Sequence, residues 1–153
     1  FNKWLSWVNP DNGEARGRRK SPRHFTEYDA FYELYKIKSY LKNPNLSINL
    51  VLMDMEEYKL LNGWSYDKKR GSTRYDRVPV GIRRIVRFDR IEDYMQLVPA
   101  DLKEDFTVKD FAIAAGVSVE ASRYTLNILN YLEIVKRTGR VKNGYVYNVT
   151  EEF

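Results

Sequence analysis

The sequence predicts an α+β fold, and three observations carry that expectation. Runs rich in β-branched and aromatic residues at 3–8, 46–54 and 80–88 give strands in the first half of the chain. Apolar residues at helical spacing recur at 27–42 and again in the last third, which segregates helices from strands rather than alternating them one for one. The composition, 43% hydrophobic and 31% charged over 153 residues, is that of a globular chain with core enough for one average domain or two small ones. The expected division is a mixed α/β module over 1–88 and a second domain over 89–153.

The elements follow in order. Residues 3–8 alternate Trp4, Ser6 and Val8 with Leu5 and Trp7 and form a strand. Asn9-Pro10-Asp11-Asn12-Gly13 is dense turn chemistry, so residues 14–20 return as the second strand of a hairpin with basic side chains exposed. Thr26 with Asp29 three residues on is a helix start, and Phe31, Leu34, Tyr35 and Leu41 predict one amphipathic helix over 27–42. Asn43-Pro44-Asn45 ends it, and 46–54 is a buried strand. Asp54, Glu56 and Glu57 then open a short helix to Leu61. Residues 63–78 lack a hydrophobic period and are expected to be a mobile basic loop, after which 80–88 is a strand.

From Arg90 the pattern changes. A short helix ends before Pro99. Thr107 and Asp110 form a capping box that opens a helix ending at Gly116. Ser118 caps a further helix reaching about Leu132. Two short runs, 134–138 and 145–149, flank Asn143-Gly144, a strong hairpin signal. Helix, helix, tight Gly turn, helix and basic-tipped hairpin is the order of a winged helix-turn-helix.

Charge is segregated. Residues 14–23 hold Arg16, Arg18, Arg19, Lys20 and Arg23 against Glu14, residues 67–90 hold nine basic residues against three Asp, and 136–142 hold Lys136, Arg137, Arg140 and Lys142 with no acid. These stretches carry +14 of a chain whose net charge is +5, leaving −9 elsewhere. Segregation of this kind points to a polyanion, of which nucleic acid is the usual example and duplex DNA the favoured one. A helical wheel of 119–133 gathers Ala121, Tyr124, Thr125, Ile128, Leu129, Tyr131 and Leu132 on the core side. It sets Ser122, Arg123, Leu126, Asn127 and Asn130 opposite. Arg123 and Asn127 are then base readers, Asn130 lies beside them, and Ser122 binds phosphate. Arg137, Arg140 and Lys142 on the hairpin, with Arg18, Arg19 and Lys20, meet the phosphate backbone. Glu120 near the start of the same helix works against this by repelling phosphate.

Other chemistries find little footing. The chain has no Cys and one His, which removes disulfides, thiolate metal sites, Cys nucleophiles and His clusters. His24 has no partners in its neighbourhood, and the eight Gly form no phosphate loop. Glu57-Tyr58-Lys59 matches the acid-x-Lys end of a restriction-type nuclease motif, but the expected upstream carboxylate is missing at Pro44-Asn45. Lys68-Lys69-Arg70 reads as a phosphate-contacting loop or a localisation-type basic run. No metal, cofactor or small-molecule substrate is expected. No apolar run is long enough to span a membrane, residues 1–20 carry no signal peptide, and a cytoplasmic location follows. A start at Phe1 rather than Met points to part of a longer protein.

The chain also resembles a family of uncharacterised bacterial and archaeal proteins. Lys3-Trp4, Asn12-Gly13-Glu14, Arg18-Arg19-Lys20-Ser21-Pro22 and Phe31 with Glu33-Leu34 carry the likeness, as do Asn43-Pro44-Asn45-Leu46-Ser47, Glu56-Glu57, Asp76-Arg77, Phe106-Thr107 and the final helix with its hairpin. That family pairs a restriction-endonuclease-like N-terminal domain with a C-terminal winged helix. The resemblance implies that this chain corresponds to the part after the nuclease core, whose carboxylates lie upstream of the Lys-Trp strand. It carries over no catalytic residue. Gly71-Ser72 stands where the family pattern has Trp-Ser.

The sequence reading is therefore a nucleic-acid-binding winged-helix protein, the targeting part of a larger nuclease-like protein. Its rival is a protein-interaction or homodimerisation module of a defence or nuclease system, using Leu126, Glu120 and the Tyr-rich segment 27–42.

Overall fold

A computed structural model describes residues 2–64, 71–142 and 144–150. The basic run Lys68-Lys69-Arg70, part of the expected 63–78 loop, and Asn143 of the hairpin turn lie outside the described residues. The architecture is α+β, with two separate sheets. The chain divides into two compact units, one of Phe1–Phe25 with Val51–Ile85 and one of Thr26–Leu50 with Val86–Phe153. These bounds differ from the expected cut at 88/89, because Thr26–Leu50 groups with the C-terminal segment.

The first unit is built from strands alone. The sheet runs β2-β1-β3-β4, with β1 Lys3–Val8, β2 Ala15–Lys20, β3 Ile48–Leu60 and β4 Thr73–Phe88, the last two continuing into the second unit. The β1–β2 turn closes as its residues demand. The Asn9 side chain accepts from the Asp11 amide at 2.9 Å, that of Asn12 from the Glu14 amide at 3.0 Å, and Gly13 takes φ +70°. The β1–β2 register shifts between Leu5 and Trp7, where β2 carries one extra residue, and Gly17 in this bulge sits at φ +68°. A Cβ at Gly17 would meet the Trp7 ring at 3.4 Å, so the ring packs close against bare backbone.

The helix expected after Asp54 does not form. β3 continues to Leu60, paired in parallel with β1 from Lys3↔Met55 to Val8↔Leu60. Ladder hydrogen bonds to β1 outweigh the helix-start preference of Asp54, Glu56 and Glu57, whose charges are met by cations from neighbouring strands. Part of the expected loop is likewise strand, since β4 begins at Thr73. Pro79 within β4 costs nothing at the edge of a sheet, and the Asp76 carboxylate accepts from the Arg77 amide at 2.7 Å.

In the second unit the single helix expected over 27–42 is broken. A 3-10 turn, Glu27–Ala30, leads into α1, Phe31–Lys36, and a second 3-10 turn follows at Lys38–Tyr40. The Ile37 amide bonds back to Leu34 at 3.1 Å, three residues rather than four, which tightens the chain there. Phe31, Leu34 and Leu41 are still the buried positions. Ile91–Leu97 is also 3-10. Phe88 stacks on Tyr94 with centroids 4.2 Å apart, and Phe31 meets both rings edge-on.

The C-terminal elements are β5 Phe106–Thr107, α2 Val108–Ala115, α3 Val119–Tyr131, β6 Val135–Val141 and β7 Gly144–Val149, with sheet order β5-β7-β6. The Thr107–Asp110 capping box is present. Gly116 at φ +66° ends α2 in the left-handed region, which lets Ser118 cap α3 through the Ala121 amide two residues later. Phe111, Ile128, Leu129, Leu132 and Ile134 are fully buried beneath this sheet-and-helix arrangement.

Candidate nucleic-acid interface

The residues that sequence reasoning selected on α3 divide sharply. Arg123 is exposed and Asn127 half-buried, and both line an open groove of about 420 Å³ between α3, the start of α2 and the β6–β7 hairpin. Arg137 from β6 enters the same groove, with Lys109 from α2 and Tyr145 from β7. Arg123 and Asn127 meet there because positions four apart share one helix face. Lys109, Arg123 and Arg137 are cations, and no carboxylate is among the described lining residues.

Two α3 residues are corrected. Ser122 and Leu126 have no exposed surface. The Ser122 hydroxyl donates to the Ser118 carbonyl at 2.9 Å, so it serves the first turn of α3 and reaches no phosphate. Leu126 is core. The buried side of the helix is wider than the wheel allowed because α3 packs against both α1 and α2. Asn130 is half-buried and does not line the groove, and Glu120, though exposed, is not in its lining.

The groove is held in place by contacts the wheel could not anticipate. The Asn127 carboxamide oxygen accepts from Lys38 Nζ at 2.9 Å, which fixes its rotamer from a residue 89 positions away. The Arg137 guanidinium stands 4.1 Å from the Tyr145 ring centre and 5.8 Å from that of Tyr147. Arg140 lies 5.8 Å over the same Tyr145 ring, and Lys142 is exposed where the strand ends. Rings beneath guanidinium groups align cations that would otherwise sample many rotamers. The alternation Tyr145, Tyr147 was the only signal of this in the sequence. Lys109 and Lys38 gave none, since each is an ordinary solvent-facing lysine until the fold is known.

The anchor of α2 is electrostatically well defined. Asp110 accepts from the Thr107 hydroxyl at 2.6 Å and the Thr107 amide at 2.9 Å, and these bonds hold its carboxyl below the usual range.

Arg18, Arg19 and Lys20 belong to the other unit, where all of β2 is exposed. Arg18 is tied to Glu56 at 2.8 Å and lies 5.1 Å over Trp4, and Arg19 lies 5.4 Å over Trp7. Glu57, the acid of the nuclease-like tripeptide, is 4% exposed and ion-paired with Arg77 at 2.7 Å and Lys3 at 3.3 Å. It sits on the opposite face of β3 from Asp54 and Glu56, so the three carboxylates do not converge. No cluster of three metal-ligating side chains occurs among the described residues. No described helix is long and apolar enough to cross a membrane.

Searches of curated proteins and of solved structures found nothing similar. A family model described as a domain of unknown function, DUF8091, matches residues 1–89, which include the whole strand unit. The chain therefore belongs to the DUF8091 family.

Proposed function

We propose that this protein binds nucleic acid, duplex DNA in the first place, through a winged helix-turn-helix formed by α2, α3 and the β6–β7 hairpin. The observation that carries the reading is the groove in which Lys109, Arg123, Asn127 and Arg137 come together without an acid. Gly116 in the left-handed region between two capped helices, and a three-stranded sheet ending in a basic hairpin, support the same fold. α3 would lie in the major groove, where Arg123 suits guanine and Asn127 adenine, while Arg137, Arg140 and Lys142 hold phosphates. Arg18, Arg19 and Lys20 of β2 lie in the other unit and offer phosphate-binding surface of their own, separate from this groove. Ser122 is withdrawn from this set because it is buried. On this reading the chain is the targeting part of a larger nuclease-like protein in a prokaryotic cytoplasm, in keeping with the absence of cysteine.

The test is fluorescence anisotropy with a labelled duplex. Arg140→Glu with Lys142→Glu weakens binding to every duplex alike. Arg123→Ala instead changes the preference between duplexes. Unchanged binding in the double variant refutes the reading.

A protein-interaction module is the second reading, favoured by the exposed rings of Tyr32, Tyr35 and Tyr40. Burial of Leu126 takes away one of the residues that had supported it. A chain that ignores duplex DNA and elutes as a dimer would decide for this alternative.

A further inference from the structure

The strand unit has two chemically different faces. On one, Asp54 meets Arg83 at 3.1 Å and Glu56 meets Arg18 at 2.8 Å, so each of these carboxylates has its own arginine. The other face carries Lys3, Leu5 and Trp7 of β1 beside Met55, Glu57 and Lys59 of β3, as the parallel register requires. Glu57 there draws in Lys3, Arg74 and Arg77. Arg19 lies over Trp7, and Lys59 is Trp7's partner in register. Three cations thus gather at this one carboxylate, with two more beside Trp7. Arg77 gives its Nε to Glu57, on a side chain that is 42% exposed. Next to Lys3 and Arg77 is an apolar slot of about 310 Å³ lined by Phe25, Val51, Met53 and Met55.

From this juxtaposition we infer that the basic face of the sheet is a binding site for single-stranded nucleic acid, separate from the groove of the second unit. A cationic rim accounts for a polyanion, but not for the apolar slot at its edge. A duplex presents phosphates outward and keeps its bases stacked. A single strand offers both, so its bases enter the Met53–Met55 slot and pass beside Trp7 while its phosphates meet Lys3, Lys59 and Arg77. An acidic peptide satisfies the cations and leaves the slot unused. The inference does not depend on the duplex-binding groove, whose residues lie in the other unit.

The three tryptophans, Trp4, Trp7 and Trp64, all fall before residue 65, so their fluorescence reports on this part of the chain alone. The experiment uses the full chain carrying Trp4→Phe and Trp64→Phe, titrated with a twelve-residue oligothymidylate (about two base-stacking sites' worth of strand), a blunt duplex and poly-glutamate. The oligothymidylate quenches Trp7, the duplex does not, and Lys59→Glu weakens the single strand about fivefold or more while duplex binding is kept. Arg140→Glu with Lys142→Glu leaves the quenching intact. If the double Phe background fails to fold, anisotropy of the labelled oligothymidylate on the unaltered chain against Lys59→Glu gives the same comparison. Absence of quenching and of binding at low salt, indifference to Lys59→Glu, or competition by poly-glutamate at equal charge concentration each overturns the assignment, the last in favour of an acidic protein.

Discussion

The Arg137 guanidinium carbon lies 4.1 Å from the centre of the Tyr145 ring, across the two strands of the C-terminal hairpin. Arg137 pairs in register with Tyr147 and reaches diagonally to Tyr145, so the cation is aimed by two aromatic rings rather than by an acid. A stacked guanidinium keeps its charge and its donors available for phosphate. Tyr145→Ala frees Arg137 and Arg140 together and weakens duplex binding about three- to tenfold, while Tyr145→Phe, which keeps the ring, changes it less than twofold. Anisotropy titrations of both variants check this.

The α2 cap sets a second expectation. Thr107→Ala removes the hydroxyl that bonds the Asp110 amide and carboxylate, and costs about 1 kcal/mol in urea unfolding. The pH dependence follows from Asp110, whose folded-state pKa is depressed by its bonds to Thr107. The stability it contributes is present above the ordinary aspartate value of about 3.9 and is lost as pH falls from there through the lower folded value. Thr107→Ala and the unaltered chain therefore converge in stability as the solution is acidified below pH ~4.

Glu57 gives a third. Burial alone would raise its pKa, but the Arg77 hydrogen bond and the nearby Lys3 charge outweigh it and hold the carboxyl down. Glu57→Ala leaves Lys3 and Arg77 facing each other without a counter-charge and destabilises the protein by about 2–3 kcal/mol. The figure sits below that for a fully enclosed pair because both arginines, Arg74 and Arg77, reach water. A denaturant midpoint unchanged in Glu57→Ala would contradict this.

The strand and helix plan was largely legible. β1, β2, α2, α3, β6 and β7 follow from local alternation, helical spacing and turn residues, because in each the local preference and the tertiary environment agree. β3 past Asp54 was not legible, since three carboxylates at a helix start look the same whether or not a parallel strand lies alongside. The start of β4 was hidden for a related reason. Arg74, Asp76 and Arg77 face ion partners or solvent and break the apolar period. At the candidate site, Arg123 and Asn127 could be picked out by residue type and helix face, and Arg137 by its place in the basic hairpin. Ser122 and Leu126 were misassigned because a wheel assumes one buried side, and α3 has neighbours on more than one. Lys38 reaches Asn127 only through tertiary packing, which no local spacing encodes.

Glu133 is the one described non-glycine residue at positive φ, +69°, directly after α3 and Leu132. Its carboxylate meets Lys42 at 2.6 Å on the surface, where such a pair contributes little. Glu133→Gly relieves the left-handed strain and raises Tm by about 2 °C, whereas Glu133→Val lowers it. Calorimetry of the two variants decides the matter.

The most direct test of the central claim is the salt dependence of duplex binding. With Lys109, Arg123, Arg137, Arg140 and Lys142 available around the groove and hairpin, the account predicts that log K falls linearly with log salt concentration with a slope of about −3 to −4. It predicts also that Arg140→Glu with Lys142→Glu makes the slope shallower by about 2. A flat dependence, or no duplex binding at low salt, would contradict it.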